Sequence, residues 1–250
     1  MESGYSITNM NKYVNLIDKE IEKLNSREVE FLNLNESDDQ IDKVKPNSKI
    51  DNVIKTSIIK ITKGIKLKSI EKKYKHNLKA LKKEVNYNNI TAFDKDSKKL
   101  YEKGKDFTYK EGLILGAFGI GIPDLPIFLS ILLRNMYSLA AIYGFNYKSE
   151  FERIYLLKLL QASLSKGSKR KIYFNELDEL LLTKDASNID INELTKLITK
   201  ELLAAKLIQG VLIGGAVGGF TNRNTYTKVM RAARYKYRQR FLYKLKEIVK

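Results

Sequence analysis

The sequence predicts an all-α fold: a helical domain with an apolar, proline-broken helical hairpin and a long basic amphipathic helix. Three observations carry this expectation. Apolar residues recur every three to four positions along most of the chain, no segment alternates with period two for long, and only three prolines interrupt 250 residues. A chain of this length supports one large domain, or one domain with an arm, and buries a substantial core either way. Residues 1–45 are expected to form an N-terminal extension and residues 46–250 the helical domain.

The elements follow in order. Val14, Ile17, Ile21 and Leu24 have helical spacing and predict a helix over 13–34, which Asn35-Glu-Ser-Asp-Asp39 breaks. Pro46 and Ser48 open the next element, where Ile50, Ile54, Ile58, Ile61 and Ile65 continue into Ile70, Tyr74, Leu78, Leu81 and Val85. That rhythm describes one long amphipathic helix, or two joined near Gly64. Residues 86–111, with Asn86-Tyr-Asn-Asn89 and Gly104, are expected to form a loop or short irregular connection. From Gly112 to Phe145 the only charges are Asp124 and Arg134, too few for a surface segment. The first 22 residues of that block match the length of a bilayer-spanning helix, but Pro123 and Pro126 cut them in half. Proline inside a helix costs about 3 kcal/mol or more, so a sharp break is expected at 121–126 and a helix over 127–143. Further helices are expected over 150–165, 174–182 and 191–208. Gly210, Gly214 and Gly218 then recur every four residues, a spacing that lets helix backbones approach closely.

Charge and composition bound the function. The 46 Lys and Arg against 29 Asp and Glu give +17, a field that favours anionic lipid, nucleic acid or an acidic partner. Between residues 45 and 110 there are 19 lysines and seven acids, so the polar face there is a lysine face. The chain has no cysteine, which excludes disulfides, thiolate metal sites and cysteine nucleophiles. Its one histidine, His76, stands among lysines with no orienting partner and reads as an ordinary surface residue. No metal site and no cofactor are therefore expected. The first residues lack a basic and apolar leader pattern, and a cytoplasmic location is expected.

The candidate site residues each carry two readings. Asp124 is a helix cap or, in an apolar setting that raises a carboxylate pKa, a catalytic or proton-handling group. Arg134 needs a partner if buried, so Asp124, Arg134 and Glu152 are expected to form a buried network. Glu152 is the other catalytic candidate, although no nucleophile and base pair is recognisable. In the tail, Arg231, Arg234 and Arg238 fall at i, i+3 and i+7 on one helix face. With Arg240 they are candidates for anionic lipid or phosphate, since the guanidinium fork suits those groups, and a solvated basic face explains them equally. Tyr226, Tyr235, Tyr237, Phe241 and Tyr243 interleave with these cations, a pattern that suits a lipid headgroup interface or RNA.

Four ordered pieces resemble the EcsC protein family. They are Pro46-Asn-Ser-Lys-Ile-Asp-Asn-Val-Ile54; Gly119-Ile-Gly-Ile-Pro-Asp-Leu-Pro126 with Arg134 and Tyr143-Gly144-Phe145; Glu152-Arg-Ile-Tyr155; and Gly214-Gly-Ala-Val-Gly-Gly219 leading to Ala232-Ala-Arg-Tyr235 and Arg238-Gln-Arg-Phe-Leu242. The resemblance runs from about residue 45 to 245 and leaves residues 1–45 without a counterpart. It implies a membrane-associated accessory to ABC-type transport or secretion, with transporter subunits as partners, and supplies no reaction.

The leading expectation is a helical accessory protein docked on the anionic inner face of the cell membrane, peripheral or partly inserted. A nucleic-acid-binding protein is the alternative, motivated by the charge and the tail. A hydrolase using Asp124 or Glu152 is the third.

Overall fold

The computed structural model describes residues 7–34, 48–117, 124–208 and 217–249, and those residues form an all-α protein. In chain order the helices are α1 (Ile7–Leu32), α2 (Ser48–Gly64), α3 (Lys68–Lys83), α4 (Tyr87–Ala117), α5 (Asp124–Ile142), α6 (Glu150–Leu164), α7 (Gly167–Thr183), α8 (Ile191–Ile208) and α9 (Val217–Val249). No strand occurs among the described residues.

The C-terminal helix α9 is the axis of the fold, packing on α1, α4, α5 and α6 and more lightly on α8. Its buried residues explain why: Tyr226, Val229, Met230, Ala232, Ala233, Tyr237, Phe241, Leu242 and Leu245 enter the core. They come from more than one side of the helix, the pattern of an element surrounded by protein. The expected cationic, tyrosine-rich interface is therefore a core helix, with three of its aromatic residues, Tyr226, Tyr237 and Phe241, packed inside. Tyr243 stays exposed.

The apolar block behaves as sequence physics requires. Leu125, Phe128, Leu129, Leu132, Leu133, Met136, Leu139 and Ala140 on α5 are buried. This is the one described helix with the length and composition to cross a membrane, and 67% of that apolar window lies inside the protein. Pro126 falls in the first turn of α5, where a missing N–H costs nothing. Of the break expected at 121–126, residues 121–123 lie outside the described residues, and 124–126 form the first turn of α5. The isoleucine-rich element forms two helices, α2 and α3, separated at 65–67, where Leu67 plugs into the core.

One expectation is corrected. Residues 86–111 are not a loop: they open and fill α4, a helix of 31 residues. The asparagine cluster caps it, because the Asn89 N–H donates to Asn86 Oδ1 at 2.9 Å. Gly104 sits mid-helix because Tyr226 and Asn135 press on it, leaving no room for a side chain. The expected N-terminal extension contains α1, whose Ile17, Ile21, Leu24 and Phe31 belong to the main core. Fully buried Arg170 ties the end of α1 to α7, donating from Nε to the Ser165 carbonyl at 3.0 Å and from Nη1 to the Phe31 carbonyl at 3.1 Å.

Candidate anion-binding cleft

The four candidate arginines of α9 divide between two environments. On one side, Arg240 inserts between α9 and α6 and donates through Nη1 and Nη2 to both oxygens of Glu152, at 2.8 and 2.9 Å. Tyr237 also donates to Glu152, at 2.5 Å. The Arg240 guanidinium carbon lies 4.0 Å from the ring centres of both Phe145 and Tyr155. Burial works against the charge of Arg240, but the hydrogen bond to Glu152 and the neighbouring phenols outweigh it and raise its pKa. Glu152 begins α6, where Ser149 Oγ accepts from its N–H and caps the helix. The pair is a buried pin between two helices, and both Glu152 oxygens are engaged in it.

This arrangement replaces the expected Asp124, Arg134 and Glu152 network. Arg134 is exposed on α5, so it needs no buried partner, and the guanidinium that meets Glu152 comes from α9. The Asp124 side chain lies outside the described residues, as do Gly210 and Gly214 and the surroundings of Gly218. The neighbour Arg153 pairs with Glu150 at 3.1 Å.

On the other side of α9, Arg231, Arg234 and Arg238 do share a face, as their spacing predicts, and that face looks onto α1 and α4. There the three helices leave a cleft of about 360 Å³, lined by Glu20, Lys23, Leu24 and Arg27 of α1, by Tyr87, Asn88, Thr91, Asp94, Lys95 and Lys98 of α4, and by Arg234 and Arg238. A hollow of about 180 Å³ shares Leu24, Arg27, Asp94, Arg234 and Arg238 with it and adds Arg231, Tyr235, Tyr101 and Tyr143. Seven cationic side chains and two carboxylates line the joined space.

The carboxylates are already committed. Arg238 bonds Glu20 of α1 and, at 2.7 Å, Asp94 of α4. Glu20 also takes Lys23 at 2.8 Å. Asp94 accepts from the Tyr143 hydroxyl at 2.7 Å, and its pKa is raised because burial penalises its charge more than Arg238 and Tyr143 favour it. Tyr143 is pushed up as well, first by burial and then by the nearby Asp94 charge. Arg234 donates from Nε to Ser97 Oγ at 3.2 Å and stacks over Tyr101, its guanidinium carbon 5.5 Å from the ring centre. Arg231 is held by the Tyr235 hydroxyl. Arg27, Lys95 and Lys98 have no carboxylate within ion-pair reach among the described residues.

Sequence reasoning found three arginines of the cleft and missed its other walls. Glu20, Arg27, Asp94 and Lys98 lie in segments read as an extension and a loop. Also missed were the buried Lys236, which pairs with Glu28 at 2.5 Å and Asp178 at 2.7 Å, and the Lys246–Asp18 pair at 2.5 Å. No cluster of metal-ligating side chains occurs among the described residues.

No solved structure matches the chain. Protein EcsC of Bacillus subtilis (strain 168) is 29% identical over 169 residues, which cover 66% of this chain and 71% of the relative. The model of the EcsC protein family matches residues 9–242, so all but the first two residues of α1 and the whole cleft fall inside it, and the chain belongs to the EcsC protein family.

Proposed function

We propose that this protein is a membrane-peripheral helical accessory of the EcsC type, docking by charge on the anionic cytoplasmic face of the cell membrane and acting there with an ABC-type transport or secretion complex. The partner complex is what the family resemblance implies. The docking mode rests on one observation. Helices α3 and α4 lie side by side, joined by the Asn77–Asp96 hydrogen bond of 3.0 Å and the Lys73–Asp96 pair. The 16 residues of α3 hold seven lysines and one glutamate. Lys68, Lys72, Lys75, Lys79 and Lys82 are exposed on α3, and Lys95, Lys98, Lys99 and Lys103 extend the field along α4.

Each basic side chain near an anionic leaflet is worth about 1 kcal/mol, so a handful acting together holds a protein there without insertion. Insertion is a weaker mode for this fold, because the apolar α5 packs mostly inside the protein. Flotation with neutral and anionic liposomes at low and high salt tests the docking mode. Binding to anionic vesicles that is lost in high salt, and lost in the Lys72→Glu, Lys75→Glu, Lys79→Glu triple variant, is expected. Binding that persists in high salt would mean inserted apolar surface, and absence of binding in all conditions moves nucleic acid to the front.

A further inference from the structure

We infer that the cleft between α1, α4 and α9 is a recognition site for a phosphate monoester, presented at the membrane as the headgroup of a phosphatidate-type lipid. The inference rests on the peripheral membrane reading above for the source of the ligand, and on the cleft alone for its chemistry.

The argument starts from the distribution of charge. Glu20 and Asp94 converge on a single guanidinium, that of Arg238. The remaining arginines at the rim, Arg27, Arg231 and Arg234, and Lys98 beside them, have no carboxylate within ion-pair distance among the described residues, and the charges of Asp94 and Glu30 reach Arg234 and Arg231 only from farther away. Cations that outnumber the carboxylates around a concave space repel one another, and a bound anion relieves that repulsion.

Geometry adds preorganisation. Arg234 is pinned at Nε by Ser97 and stacked on Tyr101, so its two terminal nitrogens are held in place with no hydrogen-bond partner among the described residues. A fixed guanidinium fork matches two oxygens of one phosphate and loses little side-chain entropy on binding. Arg27 and Lys98 stand on the walls contributed by the other two helices, so a group in the cleft meets cations from three directions. A volume of about 360 Å³ admits a small phosphorylated head and excludes a folded polymer. Tyr87, which lies 54% exposed beside Asn88 at the lip, offers an apolar surface to the glycerol backbone.

A dianionic monoester gains more from this cluster than a monoanionic diester, since both its charge and its count of acceptor oxygens are higher. The site therefore discriminates between two lipids that a uniform lysine surface treats alike at equal total charge.

The test measures binding of the full chain to phosphatidylcholine vesicles carrying phosphatidate and to charge-matched vesicles carrying phosphatidylglycerol. Calorimetry with glycerol 3-phosphate and with inorganic phosphate provides the soluble arm. The expected result is tighter binding to phosphatidate, with the Arg27→Gln, Lys98→Gln double variant losing about tenfold more on phosphatidate than on phosphatidylglycerol, where it loses only the share that Lys98 has in the lysine face. Both substituted residues are exposed on helix surfaces, so the variant keeps its fold, checked by thermal melting. Arg234→Lys retains charge and loses the fork, and is expected to lose the preference as well. Equal binding to both vesicles, unchanged by either variant, overturns the cleft and leaves the lysine-face docking standing. Binding of glycerol 3-phosphate that the variants abolish, with no vesicle bound, upholds the phosphate site and overturns the membrane as its source. Failure to bind any of these probes overturns both.

Discussion

Glu152 and Arg240, 88 residues apart in sequence, meet inside the protein as a two-pronged ion pair capped by Phe145 and Tyr155. Each member is a poor core residue alone, because an unpaired charge in that setting loses its hydration without return. Breaking the pair from one side is therefore far worse than removing it. Glu152→Gln is expected to cost about 3–5 kcal/mol, because it leaves the Arg240 charge uncompensated. The double replacement Glu152→Leu with Arg240→Met should recover much of that loss. Urea unfolding of the two single variants and the double variant, read as a double-mutant cycle, checks this. Additive effects would mean that the two side chains act independently.

Helix α1 belongs to the core, and its removal should be felt as such. Phe31 stacks under the Arg170 guanidinium at 5.1 Å and packs edge-on against Phe174 at 5.8 Å. Phe31→Ala is expected to cost about 3–5 kcal/mol, as large buried aromatics do. Denaturant midpoints provide the measurement. A loss below about 1 kcal/mol, the range of surface changes, would mark α1 as a peripheral arm.

These two sites show how far the sequence could be read. Helix class, the α8 limits and the division of the isoleucine-rich region near Gly64 follow from local periodicity, and local periodicity is visible along a chain. The partners of α9 are not local. Arg238 is separated from Glu20 by 218 residues, so the arrangement that turns a basic tail into a core helix leaves no pattern within any window of the sequence. The same cause hid α4: an asparagine run signals a loop and a helix cap equally, and Gly104 looks like a breaker until Tyr226 is seen against it.

Burial of phenols sets an alkaline limit. Tyr143, Tyr155 and Tyr237 all have pKa values raised above the ordinary 10.0, chiefly because burial disfavours the phenolate. The native state keeps protons that the unfolded chain releases near that value. The unfolded chain then binds fewer protons, so the stability these groups contribute is fully present below pH 10 and falls as the pH rises beyond it. Spectrophotometric titration should show Tyr143, Tyr155 and Tyr237 ionising only as helical circular dichroism is lost. Complete tyrosine ionisation near pH 10 with the helices intact would contradict the burial of these side chains.

Two glycines give opposite expectations for one substitution. A Cβ on Gly104 would stand 1.9 Å from the Tyr226 hydroxyl and 2.6 Å from the Asn135 amide nitrogen, inside both atoms, whereas a Cβ on Gly64 meets nothing within 4 Å. The crossing of α4 over α9 is the most extensive helix contact among the described residues, and both Tyr226 and Asn135 would have to move to make space there. Gly104→Ala is expected to destabilise by about 1–3 kcal/mol or more, the cost of overpacking. Gly64→Ala, at the end of α2, should stabilise by about 0.4–1 kcal/mol by narrowing the unfolded ensemble. Thermal melts of the two variants against the parent decide it. Equal effects would mean that α4 and α9 do not approach as closely as this packing requires, and the cleft they form with α1 would then lose its floor.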